Sequence, residues 1–161
     1  MAAFDISQKL DGLIDDRVDD GMFRVHRSFF HDAEIYDAEM EAIFENNWGF
    51  LCHESQIPNP GDYFATHIGR QPVFAHRQQD GSIRAFVNAC SHRGAILTPL
   101  QRGNAKVLTC RFHGWSYSCD GSCVSIKNQD AGFPEEGFDR AHFDLNALAA
   151  EMIAMEAKKG R

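Results

Sequence analysis

The chain has 161 residues, of which 43% are hydrophobic and 11% aromatic, a composition that supports one folded core and excludes a disordered or fibrous protein. Sixteen Lys and Arg against 23 Asp and Glu give a net charge of −7, and no basic cluster supplies the charge that nucleic-acid binding needs. Neither a signal-peptide core nor an apolar run of about 18 residues occurs, so we expect a cytoplasmic protein without nucleic-acid or membrane partners.

The first 48 residues are predicted to form a helical arm, which opens with a short amphipathic segment. Between residues 5 and 20, apolar side chains fall near helical spacing among many aspartates. These side chains are Leu10, Leu13, Ile14 and Val18. The pattern predicts a solvated acidic face and no functional site.

The strongest helical pattern of the arm begins after Asp32, whose side chain is expected to cap the first turn. It extends from Ala33 to Asn47, and Gly49 ends it. One face carries an apolar stripe, which we predict to pack in a core rather than to contact a cofactor. The stripe consists of Ile35, Tyr36, Met40, Ile43 and Phe44.

After Pro60 the apolar period changes to two, which predicts short antiparallel β-strands. The predicted strands are 62–67, 71–78, 82–89, 106–109, 115–119 and 122–126. Asp80-Gly81 and Asp120-Gly121 each stand between two strands and have the sequence of two-residue hairpin turns. Residues 127–147 are acidic and turn-rich, and residues 149–161 are predicted to form a helical tail. The fold class is therefore mostly β, with an N-terminal helical arm and a C-terminal helix.

One motif in the β region has the composition of a metal site. Cys90 and His92 are followed, after 17 residues, by Cys110 and His113, in the pattern C-x-H-x17-C-x2-H. Each half places one thiolate and one imidazole on a single tight loop, so two facing loops offer sulfur ligands on one side and nitrogen ligands on the other. This segregation is typical of a Rieske-type 2Fe-2S cluster, in which two His replace two Cys on one iron.

Four further residues are predicted to surround the cluster. Gly94 and Gly114 closely follow the ligand pairs, where the backbone is expected to approach the cluster and offer N–H groups to sulfide. Trp115 is expected to shield the centre from water, although a Trp in a strand is otherwise an ordinary core residue. Arg93 completes this set.

Two other chemistries use the same residue types. A structural zinc site also binds two Cys and two His, but its usual spacing places both Cys in one half and both His in the other. A Cys/His nucleophilic pair needs one residue of each type and leaves the duplicated pattern unexplained. The remaining cysteines, Cys52, Cys119 and Cys123, are predicted to stay free, because the last two fall on opposite faces of their hairpin.

The run NACSHRGAILTPLQRGNAKVLTCRFHGWSY, from Asn88 to Tyr117, resembles the Rieske segment of the large, or alpha, subunit of aromatic-ring-hydroxylating dioxygenases. The stretch from Arg24 to Val73 resembles the benzoate and anthranilate branch of that family, and the similarity extends from about Gly21 to Leu148. The resemblance implies a small antiparallel Rieske-type β-sandwich over residues 49–148, after the arm at 1–48 and before the tail at 149–161. It implies cluster ligation by Cys90, His92, Cys110 and His113.

In that family a larger catalytic domain with a mononuclear Fe(II) follows the Rieske domain. The resemblance ends at Ala149, and no 2-His-1-carboxylate set follows His113, so we expect the catalytic domain to be absent and its Fe(II) not to be bound by this chain. The resemblance implies an oxidoreductase component that does not hydroxylate substrate alone. By the same resemblance, this component is expected to relay electrons from an NADH-dependent flavin and iron–sulfur reductase to a catalytic iron elsewhere. An oxygenase catalytic domain or a beta subunit is expected as a further partner. The alternative is a stand-alone Rieske ferredoxin, although such a carrier needs neither the helical arm nor the acidic excursion.

Overall fold

A computed structural model describes residues 6–133 and 136–151 of the chain. Its contacts divide the chain into two compact units, Met1–Gly49 and Phe50–Arg161. The first unit contains short helices and one β-hairpin, and the second contains the other strands. Within the described ranges, no helix is both long and apolar enough to cross a bilayer.

The first unit begins with a helix and a hairpin, formed by α1 (Ile6–Asp11), β1 (Ile14–Arg17) and β2 (Met22–Val25). The prediction of one amphipathic segment over residues 5–20 is therefore wrong beyond the first helix. Gly12 follows that helix, and the residues after it pair with a strand instead of continuing the helical period. Gly21 closes the hairpin with a φ of 61°, a left-handed conformation that favours glycine.

The helix predicted after Asp32 is present, but it is shorter and irregular. The Asp32 carboxylate accepts hydrogen bonds from two backbone N–H groups and so caps α2 (Ala33–Glu39). A π-helical segment, Met40–Glu45, replaces the predicted second half and changes the direction in which the apolar side chains point. Only Ile35 and Met40 of the predicted stripe are buried. The core prediction is wrong for the exposed members Tyr36, Ile43 and Phe44.

The second unit contains two antiparallel sheets, which confirms the mostly β prediction. The strands are β3 (Asp62–Ile68), β4 (Gln71–Arg77), β5 (Ile83–Val87), β6 (Arg102–Asn104), β7 (Val107–Thr109), β8 (Ser116–Ser118), β9 (Cys123–Ser125) and β10 (Ala147–Leu148). The strand orders of the two sheets are β10-β5-β4-β3-β6 and β7-β8-β9. Strands β6 and β10 have no predicted counterpart, and the other six match predicted strands closely.

Both Asp-Gly sequences close hairpins, as predicted. Gly81 lies between β4 and β5 with a φ of 85°, and Gly121 lies between β8 and β9 with a φ of 92°. A Cβ atom at Gly121 would lie 2.5 Å from a ring carbon of Phe86, so this glycine also permits the second hairpin to pack on the five-stranded sheet. Arg84 strengthens that contact by donating to the Asp120 carbonyl at 2.8 Å.

The main core lies between the two sheets. Phe74 and Phe86 of the five-stranded sheet belong to one buried cluster with Tyr117 of the three-stranded sheet. Cys90 and Cys110 are members of the same cluster. The predicted sulfur ligands are therefore part of the hydrophobic core, where packing holds them in place.

The acidic segment after β9 contains little regular secondary structure in its described residues. A one-turn helix, α3 (Gln129–Gly132), and a 3-10 turn (Arg140–Phe143) precede β10. The helix predicted for residues 149–161 lies outside the described part of the chain, except for 149–151, which form neither helix nor strand. None of the five cysteines forms a disulfide, in agreement with the prediction for Cys52, Cys119 and Cys123.

Candidate metal centre

Two loops with the same hydrogen-bonding pattern carry the predicted ligands. Loop 1 (residues 90–95) follows β5, and loop 2 (residues 110–115) joins β7 to β8. In each loop the cysteine N–H donates to the carbonyl five residues later, that of Ala95 at 2.8 Å and that of Trp115 at 2.7 Å. The glycine four residues after each cysteine donates back to the cysteine carbonyl, at 2.8 Å and 3.0 Å. The duplicated sequence pattern therefore corresponds to a duplicated structure.

Gly94 and Gly114 provide the backbone conformation that these loops require. Their φ angles are 72° and 70°, in the left-handed region. A Cβ atom at Gly94 would meet nothing within 4 Å, so the requirement there is conformational alone. At Gly114 a Cβ atom would also lie 3.0 Å from side-chain carbons of Lys127. The close approach of both glycines to a cluster remains a prediction.

The two thiols of the candidate centre lie in the buried core. Cys90 and Cys110 are each 2% exposed. Burial raises the pKa of the Cys90 thiol, the Tyr117 hydroxyl opposes that rise, and the neighbouring Cys110 thiol adds to it. Two adjacent thiolates are unfavourable in such surroundings without positive charge. A bound metal supplies that charge and keeps both sulfurs deprotonated.

The two imidazoles lie nearer to the surface and contact each other. The ring centroids of His92 and His113 are 4.7 Å apart, with an interplanar angle of 83°. His113 is exposed, whereas His92 is partly buried and its Nδ1 has no hydrogen-bond partner. Burial lowers the pKa of His92, and the charges of His113 and Arg93 act in the same direction. A neutral imidazole with an unpartnered buried nitrogen is suited to bind a metal.

This donor set fits a binuclear iron–sulfur centre. The thiol pair is buried and the imidazole pair is more exposed, so each pair can serve a separate metal atom. A structural zinc site instead needs four ligands around one ion. The separation of the buried thiols from the more exposed imidazoles therefore fits two metal atoms with two protein ligands each.

Tyr117 contacts the centre through its hydroxyl, a role that the sequence did not reveal. The fully buried hydroxyl lies 3.2 Å from Cys90 Sγ and accepts the N–H of Ser91 at 3.1 Å. Because the oxygen accepts from Ser91, its own proton is available to the Cys90 sulfur. Burial and the Cys90 contact raise the pKa of Tyr117, so the hydroxyl keeps this proton. Its position two residues after Trp115, on a β-strand, is the only sequence signal for this role.

Asn88 is a second residue that sequence reasoning missed. It is 3% exposed, and its Oδ1 accepts the N–H groups of Leu97 and Thr98 at 3.1 Å and 3.0 Å. Its Nδ2 donates to the Thr98 carbonyl at 3.2 Å. These three bonds fix the chain that leaves loop 1. The signal for this role is a polar residue directly after an apolar strand, immediately before the metal motif.

Comparisons with known proteins show which family the chain resembles. Residues 47–146 match the Rieske [2Fe-2S] domain family. The chain is 44% identical over 141 residues to the alpha subunit of toluate 1,2-dioxygenase from Pseudomonas putida, which covers 87% of this chain and 31% of that protein. It is 48% identical over 116 residues to the large subunit of anthranilate 1,2-dioxygenase from Acinetobacter baylyi, which covers 72% of this chain and 25% of that protein.

A solved structure is similar over most of the described fold. Naphthalene 1,2-dioxygenase from Rhodococcus sp. aligns with a TM-score of 0.77 and 32% identity, covering 91% of this chain and 33% of that chain. The chain thus spans about a third or less of the length of these relatives.

Proposed function

The chain belongs to the Rieske [2Fe-2S] domain family, and we propose that it is the electron-transfer portion of an aromatic-ring-hydroxylating dioxygenase alpha subunit. The predicted resemblance to such alpha subunits is confirmed, and family membership implies a 2Fe-2S cofactor. Two of the relatives are named for toluate and anthranilate, which are aromatic carboxylates. A carboxylate of the benzoate class is accordingly the proposed substrate of the complete enzyme.

Cys90 and Cys110 are the proposed ligands of one iron, and His92 and His113 are those of the other. The observation that carries this assignment is the pair of loops with one hydrogen-bonding pattern, which buries both thiols and leaves the imidazoles nearer to the surface. The unpartnered Nδ1 of His92 supports it. When bound, the cluster accepts and donates single electrons.

The surrounding residues are proposed to serve this electron transfer in two ways. On the buried side, the core packing around Cys90 and Cys110 excludes water, and Tyr117 supplies a hydrogen bond to sulfur. On the open side, the His113 ring is exposed, and the neighbouring Phe112 is 76% exposed. A redox partner that contacts this side comes close to the imidazole pair.

The proposed electron donor is an NADH-dependent flavin and iron–sulfur reductase. The proposed acceptor is the mononuclear Fe(II) of an oxygenase catalytic domain, and a beta subunit is a further proposed partner. A cytoplasmic location is part of the proposal, because no disulfide links any of the five cysteines.

A reconstituted electron-transfer assay tests this function. The purified chain is mixed with a flavin and iron–sulfur reductase, NADH, benzoate and oxygen, and the visible absorption of the cluster and the aromatic products are followed. We expect NADH-dependent bleaching of the cluster without dihydrodiol or catechol. The variant His113→Ala should not bleach, whereas the matched control His67→Ala, an exposed histidine on β3, should behave like the unmodified chain.

Two outcomes would contradict the proposal. In the first, dithionite reduces the cluster of the purified chain, but no flavin and iron–sulfur reductase does. The other is catalytic turnover of benzoate by this polypeptide alone.

A further inference from the structure

The ring of His92 is held by aromatic contacts rather than by a hydrogen bond at Nδ1. The Trp115 indole stacks on it with ring centroids 4.8 Å apart and an interplanar angle of 8°. The His113 ring meets it edge-on from another direction. These two rings restrict the plane of the His92 ring, while its buried Nδ1 makes no hydrogen bond and stays available to a metal.

Trp115 is itself fixed by side chains from the acidic segment after β9. The rings of Phe133 and Phe143 meet the indole edge-on, at 5.9 Å and 5.3 Å between centroids. Phe138 packs against both phenylalanines, at 4.8 Å and 5.4 Å. We call Trp115, Phe133, Phe138 and Phe143 the aromatic clamp. With Trp115 only 3% exposed, the indole has little room to turn.

The same segment also contacts the two ligand loops through residues outside the aromatic clamp. Ser91 Oγ donates to the Asp144 carbonyl at 3.0 Å, and the Asp144 carboxylate accepts the N–H of Cys123 at 2.7 Å. On the other loop, Lys127 lies against Gly114. The described residues of this segment, 127–133 and 136–144, therefore contact both ligand loops and the ring stacked on one ligand.

We propose that Trp115 is a positioning residue for His92, and that Phe133 and Phe143 act on the metal centre through it. The inference rests on the proposed function, because the orientation of the His92 ring matters only if that ring binds iron. Metal-ligating imidazoles are usually oriented by a hydrogen bond from the ring nitrogen that does not bind the metal. Here a parallel indole restricts the ring, and the phenylalanines keep the indole from moving away.

Four substitutions separate this role from general packing. Trp115→Leu removes the stacked ring, and Trp115→Phe retains a smaller one. Phe143→Leu loosens the aromatic clamp through a residue that contacts Trp115. Phe112→Leu is the matched control, because Phe112 adjoins His113 yet is 76% exposed and lies outside the aromatic clamp. The backbone bond from Cys110 to the Trp115 carbonyl is retained in every variant.

Three measurements on the full chain are compared after reduction by dithionite: the EPR g values and linewidths, the rate of iron release to a chelator, and the melting temperature. We expect Trp115→Leu to shift and broaden the EPR signal and to speed iron release about 10-fold. Trp115→Phe should restore most of the original spectrum, Phe143→Leu should fall between the two, and Phe112→Leu should match the unmodified chain.

The inference is overturned if Trp115→Leu and Phe143→Leu keep the original EPR signal and iron-release rate. It is equally overturned if all changes simply follow the melting temperature. If Trp115→Leu yields no loaded protein, the comparison of Phe143→Leu with Phe112→Leu decides. Absence of a Rieske-type signal in the unmodified chain contradicts the proposed function instead, so the two failures are distinguishable.

Discussion

The hydrogen bond between Tyr117 and Cys90 gives the sharpest prediction about the redox properties of the chain. Tyr117→Phe removes the hydroxyl, which lies 3.2 Å from the sulfur, and leaves a ring of nearly the same shape in a fully buried position. The reduced cluster carries more negative charge than the oxidised one, so a donor to its sulfur stabilises the reduced form more. The substitution should therefore lower the reduction potential.

The size of the effect follows from the energy of one buried hydrogen bond. A typical bond contributes about 1 kcal/mol. A tenfold change in a one-electron equilibrium corresponds to about 59 mV and about 1.4 kcal/mol. If the bond favours the reduced state by its full value, Tyr117→Phe lowers the potential by about 40 mV. The variant also leaves the Ser91 N–H without its acceptor, which costs about 1–3 kcal/mol of folding stability if no water replaces it.

A redox titration followed by EPR or visible circular dichroism measures this shift, and urea unfolding measures the loss of stability. Tyr63→Phe is the control, because Tyr63 is also buried in the core but lies over Gly103 in the five-stranded sheet. Its potential should equal that of the unmodified chain. An unchanged or higher potential in Tyr117→Phe would show that the hydroxyl does not donate to a ligand sulfur.

Three further predictions concern the fold that supports the site. Gly121→Ala should destabilise the chain by about 2 kcal/mol or more in urea unfolding, because a Cβ atom there combines a φ of 92° with a 2.5 Å contact to Phe86. Gly81 has a similar φ of 85° but open space around it, so Gly81→Ala should lower the free energy of unfolding by less. An equal loss of stability in the two variants would exclude the Phe86 contact as the cause. Asn88→Ala should lower stability by about 1–3 kcal/mol by leaving the N–H groups of Leu97 and Thr98 unpaired, whereas no change in unfolding would show that the amide does not hold loop 1. Burial lowers the pKa of His76 from its ordinary value of 6.5, so the unfolded chain binds this proton more tightly and stability should fall as the pH drops through 6.5. His76→Gln should flatten that part of the pH profile, and a profile identical to that of the unmodified chain would show that His76 is not responsible.

Local sequence signals sufficed for the hairpins but not for all pairings of the strands. The Asp-Gly turns at 80–81 and 120–121 stand between segments of period two, so both hairpins could be located from short-range information. Strand β6 has the sequence Arg-Gly-Asn, which shows no apolar alternation. It is a strand because the edge of β3 pairs with it, a long-range interaction that the local sequence does not encode.

The N-terminal unit shows the opposite difficulty, in which a local pattern misled. Apolar residues at helical spacing up to Val18 predicted one segment, but a strand begins at Ile14 and pairs with β2. After Ala33 the helical period predicted a core stripe, but a π-helical segment starts at Met40, and the apolar side chains of the stripe beyond it are exposed. A change in helix type has no signature in apolar spacing, because the spacing assumes a constant period.

For the site, the sequence predicted the proposed ligands but not the residues that orient them. The ligand pattern is duplicated within 24 residues, from Cys90 to His113, and therefore stands out. Phe133 and Phe143 reach Trp115 from a turn-rich segment without periodicity, so no spacing indicated that they meet it. Such contacts arise only from the tertiary fold.

Cys90, His92, Cys110 and His113 are proposed to hold a 2Fe-2S cluster through two sulfur and two nitrogen ligands. Iron and acid-labile sulfide analysis, combined with pulsed EPR of the dithionite-reduced chain, tests this ligand set. We expect equimolar iron and sulfide, near two of each per chain, and strong magnetic coupling to two nitrogen ligands that is lost in His92→Ala and His113→Ala but retained in His67→Ala. One zinc per chain without sulfide, or a cluster without nitrogen coupling, would contradict it.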